Sequence, residues 1–259
     1  MRFGKFPKAR NCPHKRGNFT IRERLAAQDL ENTVWQHDLS GSYQKIGEVR
    51  ARQGDLPRAL EAYQASLAIR ERLVARDTGN TLWKHDLSVS YGKVGRVWLE
   101  QDELPLALEA YQAGLSIAEQ LAAKDPGNTS WQRNLTVSQV GIGDARRALA
   151  ELPRALEAYQ VGLSIAERLA AQDPSNAEWQ RDLWVSLHKV CLVLEATGSG
   201  SEVYRKRLHA TLSGMRRAGM PLDPAARDLL AQLDRAAPRE APSVGASRSE
   251  ADAATSRPP

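Results

Sequence analysis

The chain has 259 residues, of which 42% are hydrophobic, 26% charged and only 6% aromatic, and its formal net charge is +5. Abundant Leu and Ala with few aromatic residues favour a helical protein over a β-sandwich or barrel. No segment reaches the roughly 18 uninterrupted apolar residues of a membrane span, and residues 1–17 lack the apolar core of a secretory signal. Two cysteines form no disulfide framework in so long a chain, so we expect a cytoplasmic protein without membrane contact.

The net charge is unevenly distributed. Residues 1–18 contain six basic residues and no acidic one, whereas residues 19–234 carry a net charge of −2. The pI of about 9.3 therefore reflects a basic head. The body lacks the excess of Lys and Arg that is typical of nucleic-acid-binding domains.

A long internal repeat organises the chain. Trp35, Trp83, Trp131 and Trp179 recur at a constant interval of 48 in the numbering, and residues 35–82 and 83–130 share 29 of 48 positions without a gap. We call equivalent positions of successive repeats a column. Several columns hold the same residue in all three full repeats. Named by their residue in the first repeat, they include Leu39, Ser42, Gly47, Leu56, Pro57, Ala59, Tyr63, Leu67, Asp77 and Asn80.

Residues 19–34 predict the second half of a truncated repeat. Phe19–Asp29 aligns with Leu67–Asp77, so the chain enters a repeat within its second helix. The head, residues 1–18, precedes it, and we expect this head to be disordered. Either a longer array has been truncated, or an unrelated head has been joined to an array. The uncovered inner face of this helix is then a weak point or a docking surface.

Repeats 35–82, 83–130 and 131–178 each predict two antiparallel helices. Apolar residues recur at three- and four-residue steps on both sides of a break at Gly54-Asp55. Asp55 is a candidate N-cap, and Pro57 falls in the first turn, where a missing N–H costs little. Asn80 and its equivalents suit the N-cap of the next helix. Because one helix pair cannot bury both of its apolar faces, neighbouring pairs must stack into an all-α solenoid.

Residues 179–234 predict a degenerate repeat followed by capping helices. The pattern holds from Trp179 to about Ala196 and ends in a Gly-Ser segment, after which we expect helices over Glu202–Arg217 and from Asp223-Pro224 to about Asp234. Such helices would cover the last apolar face of the stack. The tail, residues 235–259, is rich in Ala, Ser, Pro and Arg, and we expect it to be disordered.

The first repeat resembles the tetratricopeptide repeat family in its long-helix form. The resemblance rests on a Leu-Gly-like pair, an inter-helix Gly-Asp, a small packing residue and an aromatic residue, which fall in order as Ile46-Gly47, Gly54-Asp55, Ala59 and Tyr63. The usual period of that family is about 34 residues. Here the period is 48. The resemblance implies a right-handed solenoid. The loop glycine of the family is replaced by Asp102 and Ala150 in the next two repeats.

No catalytic, cofactor or metal motif stands out, so we expect no enzyme and no cofactor. His37-Asp38 recurs as His85-Asp86, but neighbours on a helix do not face each other, so a helix-surface role is favoured over a catalytic pair. Cys12 and His14 have ligand-like spacing, yet a structural zinc site needs about four ligands. Cys191 occupies the column of Gly47, which predicts a small buried thiol.

The tryptophan residues fall into two groups. The four that define the period lie at the start of each apolar stripe, which favours packing over a platform for stacking bases. Trp98 and Trp184 lie outside that column, in the columns of Arg50 and Ser40. Each is a candidate for an exposed partner contact, and contacts within the cap are the alternative.

The family resemblance also implies a binding groove along the first helices of successive pairs. Carried over column by column, the groove residues are Gln44, Glu48, Arg52, Val89, Arg96, Leu99, Val137, Val140, Asp144, Arg147, Val185 and His188. These columns vary while the packing columns are constant, although an unconstrained surface would vary too. The mixed charge and the valines suit a peptide with a few apolar anchors.

These patterns predict a non-catalytic protein–protein interaction module or scaffold that binds a peptide or a partner domain, rather than nucleic acid. Two alternatives stay open at this stage. The basic head could bind nucleic acid or an anionic surface, or the chain could be a fragment of a larger multidomain signalling protein. The sequence identifies neither the partner and its pathway nor the oligomeric state.

Overall fold

The structure is a computed structural model that describes residues 13–236, with side chains described from residue 19 onward. The described part forms ten helices and no strand. The helices are α1 Pro13–Gln28, α2 Thr33–Arg52, α3 Leu56–Arg76, α4 Thr81–Glu100, α5 Leu104–Lys124, α6 Thr129–Ala148, α7 Leu152–Gln172, α8 Ala177–Ala196, α9 Glu202–Arg217 and α10 Pro224–Ala236. Residues 1–12 of the predicted head and residues 237–259 of the predicted tail lie outside the described residues.

The helices pack in sequential pairs, α2 with α3, α4 with α5, and α6 with α7, and each pair also packs against the next. We call α2, α4, α6 and α8 the A helices, and α3, α5 and α7 the B helices. The A helices have 20 residues and the B helices 21. The length of these helices accounts for the long period of the repeat, because the loops between them are short. The predicted all-α solenoid of stacked antiparallel helix pairs is confirmed.

Asparagine caps begin the A helices, as predicted. Asn32 Oδ1 accepts a hydrogen bond from the backbone N–H of Trp35 at 3.1 Å. Equivalent bonds from Trp83, Trp131 and Trp179 are accepted by Asn80, Asn128 and Asn176. Asp55 caps α3 in the same way by accepting from Arg58 N at 3.4 Å. These bonds satisfy N–H groups that have no partner inside the helix.

The turn from an A helix to its B helix needs a residue in the left-handed region. Gly54 has φ +74° there, and in the next two repeats the position is taken by Asp102 at φ +63° and Ala150 at φ +59°. A Cβ makes this conformation costly, least so for Asp and Asn. Ala150 therefore carries backbone strain that Gly54 avoids.

Tyrosine on a B helix packs directly on glycine of its A helix. A Cβ on Gly47 would lie 2.6 Å from the ring of Tyr63, and one on Gly143 would lie 2.4 Å from the ring of Tyr159. In α8 the same column holds Cys191, which is buried and whose pKa is raised to about 11 by that burial. The thiol is thus a small packing group that stays protonated at neutral pH, as the sequence predicted.

Helix α1 begins at Pro13, inside the segment 1–18 that the sequence analysis assigned to the head. It packs on α2 through a cluster of Ala26, Leu39 and residues of α3. Phe19 meets Tyr43 edge to face, with ring centroids 5.2 Å apart. The predicted half repeat therefore extends several residues further toward the N-terminus than the boundary at residue 19.

The chain divides into two units, Met1–Pro221 and Leu222–Pro259. In the first unit α9 follows α8 in the position of a B helix, packs on it, and buries Leu208, Leu212 and Met215. In the second unit α10 begins after Asp223, whose Oδ1 accepts a hydrogen bond from Ala226 N at 2.8 Å. The predicted starts of both helices agree with the structure to within one residue.

Candidate binding groove on the A helices

All twelve predicted groove residues lie on A helices, and none of them is fully buried. Arg52, Arg96, Val137 and Arg147 are exposed, and the other eight are half-buried. The packing columns behave in the opposite way, since the alanines equivalent to Ala59 are completely buried. The A helices therefore present variable side chains over a constant core.

Both acidic groove residues form ion pairs with the next A helix. Lys93 Nζ of α4 lies 3.3 Å from Oε1 of Glu48 on α2. Lys189 Nζ of α8 lies 2.7 Å from Oδ1 of Asp144 on α6, and the hydroxyl of Tyr159 donates to the same oxygen at 2.6 Å. Glu48 and Asp144 thus help to hold successive repeats together, a role that the sequence analysis did not assign to them.

Between α4 and α6 both members of this ion pair are replaced. Arg96 stands where the acid would be, and Gly141 stands where the lysine would be. Arg96 instead pairs with Glu100 on its own helix, at 2.9 Å. A lysine in place of Gly141 would bring two cations together, which is unfavourable. The acid and the lysine are thus replaced between the same two repeats, which agrees with a contact between their columns.

A second line of contacts joins the A helices near their N-terminal ends. His37 Nε2 lies 2.7 Å from Asp86 Oδ2, and Arg133 Nε lies 2.5 Å from Asp182 Oδ2. Between them, Asn134 Nδ2 lies 3.2 Å from Nδ1 of His85. A position on the helix surface was predicted for this His-Asp motif because its two members do not face each other. They do not, but His37, His85 and Asp86 each bond to a residue of the neighbouring repeat.

The buried guanidinium of Arg70 bonds to α4 beside this line of contacts. Arg70 of α3 is only 5% exposed, and its Nη1 donates to Asp86 O at 2.8 Å and to Ser90 Oγ at 2.6 Å. Burial raises the pKa of the Asp86 carboxyl, but the His37 hydrogen bond and the Arg70 charge outweigh it, so the net shift is downward. Burial also lowers the pKa of His85. The cluster is thus organised around an ionised Asp86 and a neutral His85.

A cavity of about 260 Å³ opens between α2 and α4. Its lining residues are Glu48, Ala51, Arg52, Tyr63, Lys93, Arg96, Val97 and Glu100. Tyr63 is buried, and burial and the nearby Glu48 raise its pKa to about 12. Its phenol therefore stays neutral at physiological pH. Three cations face two carboxylates here, so the cavity favours an anionic or hydrogen-bonding group.

The valines of the predicted groove differ in accessibility. Val137 is 48% exposed, whereas Val89, Val140 and Val185 are half-buried. Val140 lies beside α7, since a Cβ on Gly162 would be 3.5 Å from its Cγ2. His188 is half-buried as well, and burial and the charge of Lys189 lower its pKa. Val137 is therefore the most accessible apolar anchor among the predicted residues.

Trp98 and Trp184 are not the exposed partner contacts that the sequence suggested. Trp184 is buried, at 6% exposure. Trp98 is half-buried and packs against the core clusters that contain Tyr63 and Tyr111. Trp35 and Trp83 pack against a core cluster, as predicted for the period-defining tryptophans. Trp98 therefore fills space between two successive repeats, which comparison of single columns could not reveal.

The described residues also bear on other kinds of site. No group of three His, Cys, Asp or Glu side chains among residues 19–236 is arranged to hold a metal ion. The candidate pair Cys12 and His14 lies outside the residues whose side chains are described. Within the same part of the chain, no helix combines the length and apolar character needed to cross a bilayer.

Comparison with known proteins gives matches among solved structures. BtubC (BKLC) from P. vanneervenii is 15% identical, with a TM-score of 0.48 over 89% of this chain and 94% of that chain. A putative kinesin light chain from Podospora anserina with TPR-like repeats is 16% identical, with a TM-score of 0.45 over 85% and 89%. A MamA double mutant from RS-1 is 12% identical, with a TM-score of 0.39 over 86% of each chain.

No protein-family model matches the sequence, and no curated protein matches it significantly. The resemblance to tetratricopeptide-like repeat proteins is confirmed for the fold, which the stacked helix pairs themselves establish. It conveys no partner and no residue role.

Proposed function

We propose that this chain is a non-catalytic protein-interaction module of the cytoplasm that holds a peptide, or an extended segment of a partner domain, in the groove of its A helices. One observation carries the proposal. The columns that pack the repeats are constant and buried, whereas the groove columns stay accessible and, apart from the column of Val89, Val137 and Val185, differ between repeats. Surfaces that differ along a repeat array give each repeat its own contact with an extended ligand.

The chemistry of the groove supports a ligand with one acidic and one apolar contact. Arg52 and Arg96 are exposed at the mouth of the cavity between α2 and α4, and the neutral Tyr63 phenol lies within it. Val137 stands in the column of Gly41, two repeats further along the chain, and supplies an accessible apolar contact. A peptide that places a carboxylate in the cavity and an apolar side chain near Val137 would satisfy both.

The apolar contact is tested with peptides selected from a random library on the wild-type protein. Val137→Asp is compared with Val161→Asp, a control on the B helix α7 with nearly equal exposure, 49% against 48%. We expect Val137→Asp to weaken the selected peptides at least about tenfold and Val161→Asp to leave them unchanged. Equal affinity for both variants would overturn the groove assignment.

The contact between the cavity and an acidic group of the peptide is tested in the same titrations with Arg52→Glu. Arg72→Glu, an exposed residue of α3, is the matched charge reversal away from the groove. We expect Arg52→Glu to weaken acidic peptides about fivefold or more and Arg72→Glu to have little effect beyond screened long-range charge. If both variants lose affinity equally, the ligand responds to net charge and not to this cavity.

A further inference from the structure

The inner face of α1 exposes residues whose equivalents on α3 are buried. Ile21 is 55% exposed, whereas Ile69, in the same column, is 5% exposed. Leu25 is half-buried, whereas Leu73 is 2% exposed. The difference arises because α2 packs on that face of α3 and none of the described helices packs on the same face of α1.

Helices α1 and α2 contact each other as α3 and α4 do. Arg22 Nη1 donates to Ser42 Oγ at 2.8 Å, just as Arg70 Nη1 donates to Ser90 Oγ at 2.6 Å. A second pair of bonds repeats in the same way, Tyr43 to Glu23 at 3.2 Å and Tyr91 to Glu71 at 2.7 Å. The surface formed by α1 and α2 is therefore a structural copy of the surface formed by α3 and α4.

The surface of α3 and α4 packs on a helix, namely α2, and several polar contacts join them, among them the bond from Ser66 Oγ to Ser40 O at 2.9 Å. Asp86 accepts from His37 at 2.7 Å, because an ionised carboxylate can only accept and the imidazole N–H must donate. Lys93 pairs with Glu48 at 3.3 Å. On α3, Arg70 Nε donates to the Oγ of Ser40 of α2 at 3.3 Å.

The copied surface presents the equivalent groups, and none of the described helices packs on them. Asp38 and Lys45 of α2 occupy the columns of Asp86 and Lys93, and both are exposed. Among the described residues neither side chain has a hydrogen-bond or ion-pair partner. Arg22 stands in the column of Arg70 and is half-buried. We call Ile21, Arg22, Leu25, Asp38 and Lys45 the open seat.

We infer that the open seat docks an amphipathic helix of another protein that has the chemistry of α2. Such a helix carries His or Arg to pair with Asp38, a serine three residues later to accept from Arg22, and an acid eleven residues after the cation to pair with Lys45. This spacing is read directly from His37, Ser40 and Glu48. Its apolar stripe would cover Ile21 and Leu25. The inference is independent of the groove function proposed above.

A second copy of this chain does not supply that helix. The cation and the acid recur at the required spacing in α2 and α6, but each helix already uses them within its own array. In α6 Arg133 bonds to Asp182 and Asp144 to Lys189. Docking either helix onto another copy would require breaking those bonds, so a helix of a different protein is favoured.

The test uses the full chain and a labelled synthetic peptide with the sequence of residues 33–52, followed by fluorescence anisotropy. We expect saturable binding that Lys45→Glu weakens about fivefold or more, since attraction becomes repulsion. Lys124→Glu, an exposed charge reversal on α5, should leave binding unchanged. The decisive arm is the charge swap, in which peptide carrying Glu48→Lys regains affinity for the Lys45→Glu protein and loses it for wild type.

Several outcomes would overturn the inference. Absence of saturation up to about 1 mM peptide means that the seat does not accept such a helix. Equal loss with Lys45→Glu and Lys124→Glu, or no recovery in the swap, means that the peptide binds elsewhere. A wild-type protein that sediments as a dimer, and that Lys45→Glu converts to a monomer, identifies a second copy as the occupant. Circular dichroism of each variant confirms that it is folded.

Discussion

His37 Nε2 on α2 and Asp86 Oδ2 on α4 lie 2.7 Å apart, 49 residues apart in sequence. The same offset joins His85 to Asn134 at 3.2 Å. It recurs once more between Arg133 and Asp182 at 2.5 Å. Adjacent columns of the repeat thus form a line of polar pairs in which each repeat donates to or accepts from the next. These pairs contribute to the interface between repeats, the term that stabilises a repeat array beyond its single units.

Removing one member of a charged pair in this line should destabilise the array. Burial raises the pKa of Asp182, and the hydrogen bond from Arg133 acts against that shift. We expect Arg133→Ala to lower the free energy of unfolding by about 1–3 kcal/mol, because it leaves a largely buried carboxylate without its donor. Arg147→Ala, at an exposed site on the same helix, should change it by less than about 0.5 kcal/mol. Urea unfolding followed by circular dichroism measures both.

A double variant separates the pair from its single residues. Arg133→His with Asp182→Asn reproduces the neutral pair formed by His85 and Asn134 in the neighbouring repeat. We expect the double variant to be more stable than the sum of the two single losses, by about 0.5–3 kcal/mol of coupling. Strict additivity in the urea experiment would show that the two side chains do not act together.

The fold was predictable from sequence because its determinants are local and repeated. The Asn32 cap, the Pro57 helix start and the packing of Tyr63 on Gly47 each follow from a rule that spans a short stretch of chain, and the period of the array repeats them. The start of α1 at Pro13 was not predictable in this way, since only residues from 19 onward align with another repeat.

The candidate site was predictable only in part. The choice of A-helix columns came from a family resemblance, and the structure places all twelve residues on those helices with accessible surface. The bonds of Glu48 and Asp144 to lysines of the next helix were missed, because they join positions that are far apart in the sequence. The signal was present in the columns, where Arg96 and Gly141 replace an acid and a lysine together.

Stability should fall as the pH is lowered through the histidine range. Burial lowers the pKa of His85 and of His188 below the ordinary value of 6.5. The unfolded chain therefore binds protons that the folded chain does not, so stability is present above pH 6.5 and is lost as the pH falls from there toward the folded pKa. We expect the urea midpoint to drop between about pH 7.5 and about pH 5.5.

The histidine contribution is isolated by substitution. His85→Gln with His188→Gln should flatten the stability profile in this window, because neither glutamine titrates. Asp86 titrates separately, since its pKa is lowered and the stability it contributes is lost only in more acidic solution. A double variant with the same midpoint shift as wild type between about pH 7.5 and about pH 5.5 would refute the assignment.

Relieving backbone strain at Ala150 should stabilise the protein. Ala150 has φ +59° in the turn of the third repeat, at the position that Gly54 occupies in the first repeat. We expect Ala150→Gly to raise the free energy of unfolding by about 1 kcal/mol, since glycine adopts this region without a Cβ clash. Gly198→Ala, where φ is +67° and no atom lies within 4 Å of the added Cβ, should lower it by a similar amount. Thermal and urea unfolding measure both, and a destabilising Ala150→Gly would mean that no strain is stored at this turn.

A methyl group at Gly141 should be poorly tolerated. Its Cβ would lie 2.3 Å from Cε1 of Tyr111, a buried ring that cannot move away freely. We expect Gly141→Ala to lower the free energy of unfolding by about 1–3 kcal/mol. Gly92→Ala, in the middle of α4 with no atom within 4 Å of the new Cβ, should instead raise it by about 0.5–1 kcal/mol through helix propensity.

The ring itself provides the control for that clash. If Tyr111 is the obstacle, Gly141→Ala should cost little in a protein that already carries Tyr111→Ala, because the added methyl then occupies vacated space. Urea unfolding of the two single variants and the double variant gives this coupling directly. Equal cost of Gly141→Ala in both backgrounds would place the obstacle elsewhere. It would also remove the packing reason for glycine at the position where the neighbouring A helices α4 and α8 carry Lys93 and Lys189.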